Sequence, residues 1–283
     1  METISDEKIK TLQIKANNIR KSIIEMLYLA GSGHTAGALG MTDIFTYLYF
    51  VALKHKPENP NWANRDRVVL SNGHICPVLY ATMAHSGYFK IDELKTLRKF
   101  GSRLQGHPHR EYLSMIETSS GPLGEGLSQA VGMAIASRID KGLDKKIYCL
   151  VGDGELDEGQ NWEAIMLAAK EKLNNLIVIV DRNFIQIDGS TEAVMPLGDL
   201  NLKFKAFNWN TIDINGNDFK EISEAFTTAQ KSIDKPTVIV ANTVPSKGVL
   251  AWEWDYKWHG KAPNREEMSM AIRGLEEINN KIK

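Results

Sequence analysis

Residues 146–189 read KIYCLVGDGELDEGQNWEAIMLAAKEKLNNLIVIVDRNFIQIDG, and the architecture follows from them. Positions 147–151 form a short apolar run that ends in Gly152-Asp153-Gly154. Trp162, Ile165, Met166, Ala169 and Leu173 then recur at helical spacing. Positions 176–180 are apolar and mostly β-branched, which suits a parallel strand buried on both faces. A right-handed crossover through the helix makes the two strands parallel, so Asp153 and Asn183 both leave the sheet at its carboxyl edge. Open α/β sheets bind their ligands at that edge. The stretch predicts an α/β fold with a mostly parallel central sheet.

The residues at that edge suggest the ligand. Asp153 offers a carboxylate, Asn183 an amide oxygen, and the irregular backbone after Asn183 a carbonyl. Hard oxygens on one side of a cation leave room for a diphosphate and water, which suits octahedral Mg²⁺. Gly152 and Gly154 let the backbone approach a phosphate closely, and the following helix points its N-terminus at the anion. A Rossmann-type dinucleotide turn is the competing reading, because Gly152, Gly154 and Gly159 follow a strand and Asp181 ends the next. Its spacing is wrong: G-x-G-x-x-x-x-G stands where G-x-G-x-x-G is needed. Asp153, Glu155, Asp157 and Glu158 would also repel a bare pyrophosphate, whereas a bridging metal turns the aspartate into a ligand.

Outward from this unit, residues 6–29 have the pattern of a helix that stops at Gly31-Ser32-Gly33-His34. A second helix is expected to start at Thr42-Asp43 as N-cap and run through IFTYLYFVAL, apolar nearly all round. Residues 67–70 read as a strand ending at Ser71-Asn72-Gly73-His74, and 77–86 and 91–99 as two helices. Two glycine-bearing stretches follow, 101–109 with His107 and His109, and Gly121-Pro122-Leu123-Gly124-Glu125-Gly126. The second leads into a small-residue helix, LSQAVGMAIASRI. Residues 185–207 show no strong period. Strands at 211–214 and 237–240 flank a helix at about 219–231. A long loop over 245–263 carries Trp252, Trp254, Tyr256, Trp258 and His259, and a charged helix starts at Asn264. With no repeat and no linker, residues 1–283 read as one domain.

A net charge of −1 gives no reason to expect nucleic acid or an acidic membrane as partner. Cys76 and Cys149 have neither metal-ligand spacing nor the density of a secreted scaffold. The charged N-terminus lacks a signal-peptide core, and no apolar run reaches the length of a membrane span, so a cytoplasmic location is expected. Of the histidines, His55, His85 and His109 read as structural. His34, His74, His107 and His259 each stand in a glycine- or proline-bearing turn.

Gly-Asp-Gly followed by an asparagine 30 positions after the aspartate resembles the thiamine-diphosphate signature. GSGHTAGALG, SNGH, GSRLQGHP, GPLGEG, GDGELDEG, DRNFIQIDG and WHGKAP resemble, in order, the motifs of the diphosphate-binding half of transketolase. The resemblance implies the thiamine-diphosphate-binding fold, with helices on both sheet faces. It also implies that Asp153, Asn183 and the main-chain oxygen of Ile185 hold Mg²⁺ or Ca²⁺. Gly152, Gly154, Asn183, His74 and His259 would contact the diphosphate; Gly121, Pro122 and Leu123 would lie along the cofactor rings. His107 would bind a donor ketose near its C1 hydroxyl, and His34 and His259 would assist proton transfer, work that suits a group titrating near neutrality. Glu158 matches a glutamate of the network between paired active sites, with Glu163 as a neighbour in it.

Thr35 stands where the family usually has proline and His109 where an acid is common. The pyrimidine-binding domain, which in this family carries the activating glutamate and most residues gripping the sugar phosphate, has no counterpart in the sequence. The resemblance therefore implies the N-terminal subunit of a split transketolase, active as an α2β2 assembly on sugar phosphates. Two further alternatives stand beside the nicotinamide-binding oxidoreductase. A 2-oxoacid dehydrogenase subunit would share GDG and Asn but not the four histidine turns, and a non-catalytic module would not need so full a ligand set.

Overall fold

The computed structural model describes residues 4–140 and 145–282. Helix α1 (Asp6–Ala30) starts where the Ser5 hydroxyl accepts the Lys8 N–H, and stops at Gly31, which adopts φ +66 and caps Leu27 and Tyr28. After the His34 turn come α2 (Ala36–Gly40) and α3 (Thr42–Tyr47), continued by a π-helical turn at Leu48–Ala52. The expected cap at Thr42 is not one. Helical backbone is already established at Ala36, so the Thr42 hydroxyl donates to the Ala38 carbonyl inside the helical run (2.9 Å). Asp43 turns inward to Arg20 instead.

Strand β1 (Arg67–Leu70) leads through the His74 turn into α4 (Cys76–His85). The helix expected over 91–99 is a 3₁₀ turn, Ile91–Thr96, which ends as the chain reverses through Arg98 at φ 58. Then follow α5 (Glu125–Ile139), β2 (Ile147–Gly152), α6 (Gly159–Lys170) and β3 (Leu176–Arg182). The aperiodic stretch after β3 holds a small antiparallel pair, β4 (Ile185–Gln186) and β5 (Gly189–Ser190), and two short helices, α7 (Thr191–Val194) and α8 (Leu200–Ala206). The chain closes with β6 (Asn210–Asn215), α9 (Phe219–Gln230), β7 (Thr237–Asn242) and α10 (Arg265–Ile282).

The main sheet has the order β1-β2-β3-β7-β6 and every pairing is parallel. Alternate residues enter two cores, as the two-residue period of a strand requires. Tyr148, Leu150, Ile177, Ile179 and Ile239 join the core formed with α1, α3, α4, α9 and α10. Cys149, Val151, Val178, Val180 and Val238 join the core formed with α5, α6 and α8. Each large apolar side chain so buried contributes about 1.5–3 kcal/mol, so the centre of the sheet is the rigid part of the molecule. On α6, Ile165 and Ala168 pack inward, but Met166 faces solvent because the sheet covers only one stripe of the helix. Among the described residues no helix is long and apolar enough to cross a membrane.

Candidate active site

Strands β1, β2 and β3 run parallel, so the turns that follow them all leave the sheet at one edge. The N–H of Asp153 donates to the Asp181 carbonyl (3.1 Å), which holds the ends of β2 and β3 in register. The backbone after Gly154 is a 3₁₀ turn (Gly154–Asp157), and α6 begins only at Gly159, later than a direct strand–turn–helix reading has it. This extra turn swings Glu155 back under the strand ends.

Above them lies a cleft of about 410 Å³. Its lining includes Gly152, Asp153, Gly154, Asn183 and Ile185 from the sheet edge, Gly121 and Leu123 from the glycine turn, and His34, His74, His107 and His259. Residues spread over most of the chain are thus brought to one place. Pro122 and Glu158 lie outside that lining: both are exposed, Pro122 at the rim turn and Glu158 as the residue before α6. Glu163 is exposed on α6. His55 and His85 have structural partners, Tyr88 and the Tyr49 carbonyl for one and Ser22 for the other.

The four cleft histidines form a cluster. Ring centroids are 5.0 Å apart for His34 and His74, 5.6 Å for His34 and His259, 5.2 Å for His74 and His259, and 6.3 Å for His34 and His107. Burial lowers all four pKa values; in His34, with His259, Arg98 and His107 nearby, the value falls to about 4. At neutral pH they are uncharged imidazoles, each with one nitrogen able to accept a proton. Among the described residues, the Nδ1 atoms of His34 and His259 are buried without a partner. Buried polar atoms are rarely left so, and two in one cleft mark places for a ligand or water. Thr35 holds the His34 turn to the His259 turn by donating to the Lys261 carbonyl (2.5 Å).

The sheet edge is acidic. Asp153 accepts the N–H groups of Gly154 (2.8 Å) and Phe184 (2.9 Å) and the Arg182 guanidinium (3.2 Å). Burial nevertheless raises its pKa to about 6, outweighing these donors, so the carboxylate is under-compensated. Asn183 donates through Nδ2 to Asp181 (2.8 Å), which leaves its Oδ1 as the amide oxygen available beyond the Ile185 N–H (3.0 Å). Asp181 also accepts the Thr243 hydroxyl (2.5 Å), and burial raises it to about 7. A buried carboxylate short of positive charge, beside an oriented amide oxygen and a main-chain carbonyl, is a hard-oxygen set of the kind a divalent cation takes. Among the described residues no three His, Cys, Asp or Glu side chains are placed to hold a metal ion together, so such a cation would depend on amide, carbonyl and ligand oxygens.

The sequence pattern passed over several groups that the fold brings here. Glu155 and Asp181 are buried beneath the cleft, and Gln186, Ile187 and Asp188 of the β4–β5 hairpin form a wall of it. Arg98 donates to the Gly106 carbonyl (3.3 Å) beside the His107 turn. Glu155 had a faint signal, as the first acid of an acidic run straight after Gly-Asp-Gly. Arg98 had none.

Comparison with known proteins adds four findings. The family model described as transketolase, thiamine diphosphate binding domain, matches residues 11–276. The chain is 38% identical over 270 residues to one subunit of the apulose-4-phosphate transketolase of Phocaeicola vulgatus, covering 95% of each. It is 41% identical over 273 residues to the 6-deoxy-6-sulfo-D-fructose transketolase subunit SqwG of a Clostridium species, covering 96% of this chain and 98% of that one. Among solved structures, transketolase from Campylobacter jejuni superposes with a TM-score of 0.88 at 38% identity, over 95% of this chain and 42% of that one. The chain thus spans less than half the length of that transketolase chain and nearly the whole length of the two subunits.

Proposed function

Because the chain belongs to the transketolase family through its thiamine diphosphate-binding domain, we propose that it is the diphosphate-anchoring subunit of a two-subunit, metal-dependent transketolase. In this reading it moves a two-carbon ketol unit from a ketose phosphate to an aldose phosphate. A partner subunit with the pyrimidine-binding domain supplies the activating glutamate, and an α2β2 assembly completes two sites. The relatives named for apulose 4-phosphate and 6-deoxy-6-sulfo-D-fructose make sugars bearing an anionic terminal group the substrate class to test first.

The observation that carries the reading is the convergence of the four neutral histidines with Asp153, Asn183 and Ile185 in one cleft. Asp153, Asn183 Oδ1 and the Ile185 carbonyl would hold Mg²⁺ or Ca²⁺. Gly152, Gly154, Asn183, His74 and His259 would take the diphosphate, and Gly121, Pro122 and Leu123 would flank the rings. When bound, thiamine diphosphate supplies a nucleophilic carbon and an electron sink. The chain's own part is to bind, orient and move protons. His107 binds the donor near its C1 hydroxyl. His34 and His259, uncharged at pH 7, accept and return protons at the carbonyl and hydroxyl oxygens. Glu158, with Glu163 beside it, would face the second site across the assembly.

Calorimetric titration of the chain, alone and with its partner, tests this with thiamine diphosphate, with and without Mg²⁺, and with NADH as control. The expected result is Mg²⁺-dependent binding that Asp153→Asn abolishes. NADH binding without metal would sink the proposal.

A further inference from the structure

The Glu155 carboxylate lies at the base of the cleft, 2% exposed, and ties three chain segments together. Oε1 accepts the Gly124 N–H (2.7 Å) and the Ser71 hydroxyl, and Oε2 accepts the Gly152 N–H (2.9 Å). The Ser71 oxygen in turn accepts the Gly126 N–H (3.1 Å). The Glu155 carbonyl accepts the Asn161 side-chain amide (2.6 Å), which fixes the 3₁₀ turn against the start of α6. The donors on the carboxylate are two main-chain N–H groups and a hydroxyl, so it is held by geometry and not by an ion pair.

The three segments are the three that carry cleft residues on this side. Ser71 opens the turn with His74, Gly124 closes the turn with Gly121 and Leu123, and Gly152 precedes Asp153. Gly124 stands at φ +91, and a Cβ there would come within 2.8 Å of Glu158, so the turn packs closely against the start of α6 and accommodates only glycine at this point. We infer that Glu155 is a positioning residue: its carboxylate sets the separation between the Gly121–Leu123 turn and the Asp153 turn, and thereby the fit of the cofactor's ring end relative to its diphosphate end. The inference rests on the reading that the cleft holds thiamine diphosphate.

Glutamine at this position keeps the shape but turns one carboxylate oxygen into an NH₂ group facing an N–H or hydroxyl donor. The Gly124 and Gly152 anchors cannot then both be satisfied. Two probes separate the ends of the cofactor: Mg²⁺–thiamine diphosphate, which needs the Gly121–Leu123 turn as well as the diphosphate contacts, and Mg²⁺–pyrophosphate, which makes no use of the Gly121–Leu123 turn. Titrating the full chain, alone and with the subunit that completes the site, Glu155→Gln should weaken thiamine diphosphate about tenfold or more while pyrophosphate changes by less than about threefold. A role confined to stability lowers the melting temperature but leaves the ratio of the two affinities unchanged, and that result overturns the inference. If Glu155→Gln fails to fold, Ser71→Ala is read the same way, since it frees one of the three anchors. Failure of the wild-type assembly to bind thiamine diphosphate overturns the cofactor reading, and this inference with it. Tight binding by the wild type with an unchanged ratio in the variants overturns this inference alone.

Discussion

Replacing Asp43 by alanine removes one partner of a buried ion pair and leaves the other without compensation. Arg20 and Asp43 meet at 2.7 Å with side chains 5% and 6% exposed. The rest of the network is neutral: Arg20 reaches the Leu39 carbonyl (3.3 Å) and Asn17 (3.2 Å), and Asn217 donates to both Asp43 and the Gly40 carbonyl (2.9 Å each). Breaking such a pair costs about 3–5 kcal/mol, because the remaining guanidinium stays buried without its counter-charge. Two neutral acceptors remain for it, which places the expected loss near the lower end, about 3 kcal/mol. Against a total stability of about 5–15 kcal/mol, that is a large fraction. The double replacement Arg20→Met with Asp43→Leu removes both charges together and should recover most of the loss, to within about 1 kcal/mol of wild type. Urea unfolding of Asp43→Ala gives the loss, and Arg20→Met, Asp43→Leu and the double variant close the cycle. A loss below about 1 kcal/mol in Asp43→Ala, or a double variant no more stable than either single one, would refute the buried-charge argument. The pair sits beneath the α2–α3 junction, so the His34 turn should also broaden in the NMR spectrum of Asp43→Ala.

Two other outcomes follow from the same geometry. His34, lowered by burial to about 4, should stay uncharged until pH is well below 6 in an NMR titration, whereas an exposed histidine protonates near 6.5. Since the unfolded chain takes up that proton first, folding stability should be fully present above about pH 6.5 and fall as pH drops toward 4. A midpoint for His34 near 6.5 would remove the case for a neutral cluster. Gly126→Ala places a methyl group 2.5 Å from the Ser71 Cβ and 2.7 Å from its Cα, so backbone must shift. Overpacking of that kind should lower stability by about 1–3 kcal/mol in urea unfolding, and an unchanged midpoint would show that the two turns are not in firm contact.

The sheet was legible because its central strands are buried on both faces and read as unbroken apolar runs bounded by polar residues, proline or glycine. The site was legible where glycine marked it: His34, His74, His107, Gly121 and Asp153 stand at such punctuation, Asn183 stands at a strand end 30 positions after Asp153, and all line the cleft. What stayed hidden was set by contacts distant in sequence. In α8 only Leu200 and Phe204 are buried, one turn apart, too short a pattern to register as a period. The two-residue strands of β4–β5 have no period at all. Thr42 has the composition of a helix cap, but a helical turn had already formed ahead of it. Glu155, Asp157 and Glu158 look alike as an acidic run, and only the 3₁₀ turn decides that the first is buried and the other two face solvent.

That division bears on the chemistry. Burial shifts the titratable groups of the cleft toward their uncharged forms on both sides: the acids Asp153, Glu155 and Asp181 upward, the four histidines downward. A site built only for packing would have apolar residues here, because uncompensated polar groups at these depths are costly. A site for an organic anion alone would have its cationic groups charged. Acids on the sheet edge facing neutral bases across the cleft instead suit a ligand that brings a cation to the acids and an anion toward the imidazoles. A metal–diphosphate unit has that polarity. On the proposed reading the Gly121–Leu123 wall would flank the ring part of the same ligand, and the Glu155 anchor lies between the two halves.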